Sequence, residues 1–157
     1  MNTRSPLRVI FVCTGNICRS PIAEGLFRAR LVAAGFDQHA VIDSAGMHAM
    51  VDQPPEPYAI ELAQEYGADI STLQARQFEL ADFEKFDHFI AMDFGHLDYL
   101  QATHPAQSTL NISLLLDDVG GFKKLEVPDP YRRDRGEYEF CARLINIGIG
   151  RLMEQLC

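Results

Sequence analysis

Cys13 and Arg19 enclose the five residues Thr-Gly-Asn-Ile-Cys, and Ser20-Pro21 follows directly. A thiolate is a strong nucleophile, and a guanidinium is a planar fork that grips two oxygens of one oxyanion at once. Gly15 is expected to let the backbone take conformations that other residues resist, so that successive N–H groups turn inward as an anion-binding nest. A helix starting near Ser20-Pro21 would add its positive N-terminal end. The same dipoles would hold Cys13 as a thiolate near neutral pH. Ser20 either donates a hydrogen bond to that thiolate or caps the helix. The stretch is neither a Walker A loop, since no Gly-Lys-[Ser/Thr] follows Gly15, nor a Gly-x-Gly-x-x-Gly dinucleotide fingerprint.

Displacing an alcohol or phenol from phosphorus needs a proton for the leaving oxygen. The stretch EVPDPY, residues 126–131, holds Asp129 between Pro128 and Pro130 on a stiff loop, which makes it the candidate general acid. Asp-Pro is also an ordinary turn signal, and Tyr131 reads either as a pocket wall or as simple packing. Arg132, Arg133 and Arg135 form a basic run that would sit in solvent or attract acidic phosphopeptides. The five histidines, at 39, 48, 88, 96 and 104, show no metal-ligand spacing and read as surface or core residues.

These groups need a scaffold. Leu7–Val12 is a short β-branched run that predicts a buried strand, and Ile22, Leu26, Ala29 and Ala33 recur at helical spacing until Gly35. Ala40–Ser44 predicts a second strand, and Glu56–Tyr66 a helix entered through prolines and closed by Gly67. Phe86–Met92 predicts a third strand, Phe94–Ala102 a helix and Leu110–Leu116 a fourth strand. Tyr138–Leu156 carries Cys141, Ile145, Gly148, Leu152 and Leu156 on one face of a long helix. This βαβα alternation predicts an α/β fold with a parallel sheet, helices on both faces and a ligand at the carboxyl ends of the strands, where the loop after the first strand lies.

The 157 residues, 47% hydrophobic and 23% charged, suit one compact domain spanning 1–157. A net charge of −8 disfavours nucleic acid and acidic membrane surfaces, so an anionic ligand must be caught locally. No apolar run approaches the roughly 18 residues of a membrane span. The N-terminal stretch MNTRSPLRVIFVC does not read as a leader, which predicts a cytoplasmic protein without membrane insertion. Four cysteines in a chain of this size favour chemistry over a disulfide framework.

The loop VCTGNICRSPIAEG (12–25), SAG (44–46), ARQ (75–77), FD..IAMD (86–93) and VPDPY (127–131) together resemble the low-molecular-weight protein tyrosine phosphatases along nearly the whole chain. The resemblance implies a four-stranded parallel sheet, no metal and no organic cofactor. It implies Cys13 as nucleophile, Arg19 as phosphate clamp, and Asp129 as acid and then base. It also implies Ser20 as thiolate stabiliser, Asn16 as loop support, and a substrate pocket formed with Thr14, Gly15, Ile17, Cys18, Met50 and Tyr131. The reaction would be ping-pong hydrolysis of phosphotyrosine through a phosphocysteine.

Several positions depart from the family pattern. The aromatic residue that often follows SAG is absent, leaving Met47 and Met50, and the His often found ahead of ARQ is replaced by Leu73-Gln74. The DPYR pattern at 129–132, with the apolar residue at position 50, resembles the bacterial branch that works opposite tyrosine kinases of exopolysaccharide export, which implies such a phosphotyrosine protein as partner; a monomer or weak dimer is expected. Arginine phosphatase activity is disfavoured because that branch carries threonine at the place of Ile17. Arsenate reductases of the same fold use further cysteines after the third strand, and residues 80–100 hold none. The same loop could also bind phosphate or sense oxidants without turnover, although a binding-only module would have no use for Asp129. Cys18 is either a small buried side chain or, as in family members with this second loop cysteine, a disulfide partner protecting Cys13 from irreversible oxidation.

Overall fold

A computed structural model describes residues 5–106, 108–119 and 122–157. Residues 1–4 of the N-terminal stretch read above lie outside it. Four parallel strands, β1 (Leu7–Cys13), β2 (Ala40–Gly46), β3 (His88–Ala91) and β4 (Asn111–Leu114), form one sheet in the order β2-β1-β3-β4. Because β1 is central and covered on both faces, Val9, Ile10, Phe11 and Val12 are all fully buried, which accounts for a continuous apolar run rather than an alternating one. Alternate residues serve opposite cores: Val9, Phe11 and Cys13 belong to one, Ile10 and Val12 to the other.

The first core is closed by α1 (Arg19–Ala34), α2 (Pro57–Glu65) and α5 (Arg135–Leu156), which pack on one another and on that face. On α5, Cys141, Ile145, Gly148 and Leu152 are buried, as the helical spacing predicts. The second core is closed by α4 (Phe94–Thr103) together with Phe78 and with Phe83 on the short α3 (Asp82–Lys85). Helix ends follow local chemistry. Gly35, at φ 77°, returns its N–H to Leu31 and Val32, and the Asp93 and Asp134 side chains cap α4 and α5 by accepting from His96 N and Glu137 N.

The strict βαβα expectation fails in the last third. The run 110–116 does not form one strand: β4 stops at Leu114, and Leu116–Val119 (β5) pairs antiparallel with Phe122–Leu125 (β6). Leu114, Leu115 and Leu116 are all buried, so the apolar run continues through the break and hides it. In the sheet itself, Cys13 is in register with Gly46 and Val12 with Ala91, so the carboxyl ends of β1, β2 and β3 meet at one edge.

Candidate active site

The loop from Cys13 to Ser20 leaves that edge and runs into α1. Its left-handed residue is Asn16, at φ 60°, and not Gly15, whose φ is not positive, which corrects the expectation placed on the glycine. Asn16 tolerates this conformation because its side chain is bonded on both ends. Asn16 Nδ2 donates to Ser20 Oγ at 2.8 Å and to Ser44 Oγ at 2.9 Å, and Oδ1 accepts from the Arg76 N–H at 2.9 Å. Ser44 in turn donates to the buried Glu24 at 2.7 Å. The position where relatives often carry His is Leu73, a side chain packed against the first core.

Cys13 is buried, and its Sγ receives the Asn16 N–H at 3.3 Å and lies 2.9 Å from Ser20 Oγ. Ser20 sits inside the first turn of α1, whose N-cap is Cys18 with no side-chain cap bond, so the capping alternative for Ser20 is set aside. A sulfur met by a backbone N–H and a hydroxyl at a helix N-terminus is arranged to carry negative charge.

The Arg19 side chain, 3% exposed, extends from α1 under the loop. Its Nη1 donates to Asp93 Oδ2 and to the Val127 carbonyl, both at 2.9 Å, while Nη2 lies 3.5 Å from Thr14 Oγ1 and 3.7 Å from Asp129 Oδ2. Burial opposes the guanidinium charge, but the surrounding Cys13, Asp129 and Asp93 outweigh it and raise its pKa. Asp93 is held below the usual carboxylate range by His96 and Arg19, against the opposing effect of burial. His96, itself buried, shares a 2.9 Å hydrogen bond between Nε2 and Thr14 Oγ1. Its Nδ1 is 3.1 Å from Asp93 Oδ1 but off the direction of a hydrogen bond. Burial pushes His96 down to about 4, hence neutral at pH 7, although Asp93 acts the other way.

Asp129 stands half-exposed across the mouth from Cys13, and its Oδ1 accepts the Tyr131 N–H at 3.1 Å. The Asp-Pro segment is a turn closed by that bond, and it leaves the other Asp129 oxygen facing Arg19. Cys13, Thr14, Gly15, Ile17, Cys18, Arg19, His48, Met50, Asp129 and Tyr131 line one cavity of about 200 Å³. Of the candidate site residues only Asn16 and Ser20 are missing from this lining, their side chains being bonded to each other within the loop. Cys18 shares a 3.4 Å contact with the Tyr138 hydroxyl, and burial pushes its thiol up to about 12. The arginine run divides: Arg132 stacks over the Tyr131 ring at 5.3 Å, whereas Arg135 is bound by Glu61, Glu65 and Glu139.

The sequence reading missed Asp93, His96, Ser44, Glu24 and Arg76. Signals existed for four of them, since the stretches VCTGNICRSPIAEG, SAG, ARQ and FD..IAMD contain Glu24, Ser44, Arg76 and Asp93. The ARQ segment holds the rim: Gln77 accepts from Ala49 N–H and donates to the Met47 carbonyl, and Arg76 ties Asp43 to buried Asp82.

The model of the family described as low molecular weight phosphotyrosine protein phosphatase matches residues 8–157. A low molecular weight protein-tyrosine-phosphatase from Streptomyces coelicolor is 39% identical, over 88% of this chain and 86% of its own. The crystal structure of YfkJ from Bacillus subtilis superposes with a TM-score of 0.89 at 34% identity, covering 99% of this chain and 97% of that one. A probable low molecular weight protein-tyrosine-phosphatase named EpsP, from Ralstonia nicotianae, is 30% identical over 90% of both chains.

Proposed function

Since this chain belongs to the low molecular weight phosphotyrosine protein phosphatase family, we propose that Cys13, Arg19 and Asp129 divide the hydrolysis of a phosphotyrosine between them. Cys13 Sγ attacks phosphorus while the bond to the phenolic oxygen breaks, and Asp129 delivers its proton to that oxygen. With Nη1 anchored on Asp93 and Val127, the remaining edge of the Arg19 fork takes two phosphoryl oxygens. The Asp129 carboxylate then draws a proton from water, whose oxygen attacks phosphorus and releases inorganic phosphate and the Cys13 thiolate. Ser20 and the Asn16 N–H stabilise that thiolate in both halves.

The observation that carries this reading is the position of Asp129 on the rim of the cavity whose lining includes Cys13, 3.7 Å from the guanidinium between them. The substrate on this reading is a phosphotyrosine protein, a bacterial tyrosine kinase of exopolysaccharide export being the partner that the DPYR branch resemblance suggests. The whole chain, 1–157, acts as one catalytic domain in the cytoplasm, as a monomer or weak dimer. No helix among the described residues is long and apolar enough to cross a membrane.

The test is phosphate release from p-nitrophenyl phosphate and from phosphotyrosine, phosphoserine and phosphoarginine peptides. Turnover selective for phosphotyrosine, abolished in Cys13→Ser and slowed about 10²–10⁴-fold in Asp129→Ala, is expected. No turnover by the reduced wild type, or equal rates on the three peptides, would overturn the reading.

A further inference from the structure

We propose that a second groove beside the catalytic cavity receives an aromatic or aliphatic side chain of the substrate polypeptide within two residues of the phosphotyrosine. The proposal rests on the phosphatase reading above and assigns the chemistry of the flanking sequence. The catalytic cavity, about 200 Å³, has room for a phosphate and a phenyl ring. The polypeptide carrying that ring must therefore leave across the rim. A larger groove of about 430 Å³, lined by Thr14, Met47, His48, Gly95, His96 and Tyr99, begins at that rim. Thr14 and His48 line both spaces, so the two adjoin. Successive Cα atoms are about 3.8 Å apart, which brings the first or second neighbour of the phosphotyrosine over the groove.

Its chemistry selects an uncharged occupant. Asp93, at its base, has both oxygens engaged, Oδ1 by His96 N–H and Oδ2 by Arg19. His96 is neutral at pH 7 and tied to Thr14. The walls are the Met47 side chain, packed on the second core, and the Tyr99 ring, held edge-on against Phe78 at 6.3 Å yet 40% exposed. Gly95 keeps the floor open: a methyl group there would already stand 3.3 Å from Asp93 Oδ1. An arginine or lysine would find both Asp93 oxygens already bonded, whereas an apolar side chain would leave water for the Met47 and Tyr99 surfaces.

The experiment uses a Gly/Ser host peptide with one phosphotyrosine and a single Phe placed in turn one or two residues to either side. Rates are compared with the all-Gly/Ser host and, separately, with p-nitrophenyl phosphate. A kcat/KM advantage of about tenfold for at least one Phe position is expected in the wild type. The advantage should fall below about threefold in Tyr99→Ala and persist in Tyr99→Phe. A wild type that turns over p-nitrophenyl phosphate but gains nothing from Phe overturns the groove assignment. So does a preference that Tyr99→Ala leaves intact. Absence of p-nitrophenyl phosphate turnover would instead overturn the phosphatase reading. The wild-type comparison needs no variant and stands whether or not Tyr99→Ala folds.

Discussion

The Thr14 carbonyl oxygen lies 2.5 Å from the point that a methyl group on Gly46 would occupy. Residue 46, the last of β2, is the register partner of Cys13, so the nucleophile's loop is pressed directly onto the end of the neighbouring strand. The glycine is needed there for closeness and not for an unusual φ.

Gly46→Ala should therefore displace the loop at its first turn. A shift on the order of 1 Å at the reacting groups lowers rates by about 10²-fold. We expect kcat on p-nitrophenyl phosphate to drop by that order, and an unchanged kcat would show that the loop yields without cost.

Asn16 combines a left-handed backbone with three side-chain hydrogen bonds, two buried and one half-buried. Asn16→Ala should lose about 3 kcal/mol, from unsatisfied partners and from φ strain. Asn16→Gly removes the same bonds but not the conformational fit, and should be more stable than the alanine variant by about 1 kcal/mol. Urea unfolding reads both, and equal stabilities would contradict the left-handed assignment.

The reactive groups of the loop were legible in the sequence because their chemistry is local: the thiol, the guanidinium and the hydroxyl fall within eight consecutive residues. Asp129 was legible only through the resemblance, since an Asp-Pro turn alone has a simpler explanation. What escaped is the layer behind the loop. Asp93 and His96 come together from the start of α4 and Glu24 from α1; their stretches mark Asp93 and Glu24 as part of the resemblance but assign them no role, and His96 carries no local mark. Asp93 caps α4 with one oxygen and holds Arg19 with the other. Gly15 misled for a related reason: composition says that a loop has a flexible residue, but the hydrogen bonds around Asn16 decide where the backbone turns. The hairpin of β5 and β6 was hidden because three buried leucines in a row carry no period.

His96 makes stability depend on pH. Its folded value of about 4 lies below the ordinary 6.5, so between these values the unfolded chain binds the extra proton and stability rises with pH. The contribution is fully present above pH 6.5 and is lost as pH falls toward 4, by about 3 kcal/mol in all. Unfolding curves from pH 7 to 4 should be flatter in His96→Gln than in wild type, and parallel slopes would assign the acid sensitivity elsewhere.

Cys18 should determine how the enzyme survives peroxide. Hydrogen peroxide would convert the Cys13 thiolate to a sulfenic acid, and attack by the Cys18 sulfur would form the disulfide and expel water. Since burial pushes the Cys18 thiol up to about 12, the attacking thiolate is scarce and protection should strengthen with rising pH. Activity lost to peroxide should return with dithiothreitol in wild type and return several-fold less in Cys18→Ala. Equal, irreversible loss in both would remove the disulfide.

The rim from Met47 to Met50 is attached to the loop by main-chain bonds alone. Met47, His48 and Met50 donate their N–H groups to the carbonyls of Cys13, Thr14 and Gly15 at 2.9–3.0 Å. None of these bonds cares which side chain stands at 47, 48 or 50. Selectivity for what surrounds a phosphotyrosine can thus drift from one descendant sequence to the next at these positions, while the machinery that cleaves the phosphate keeps its shape.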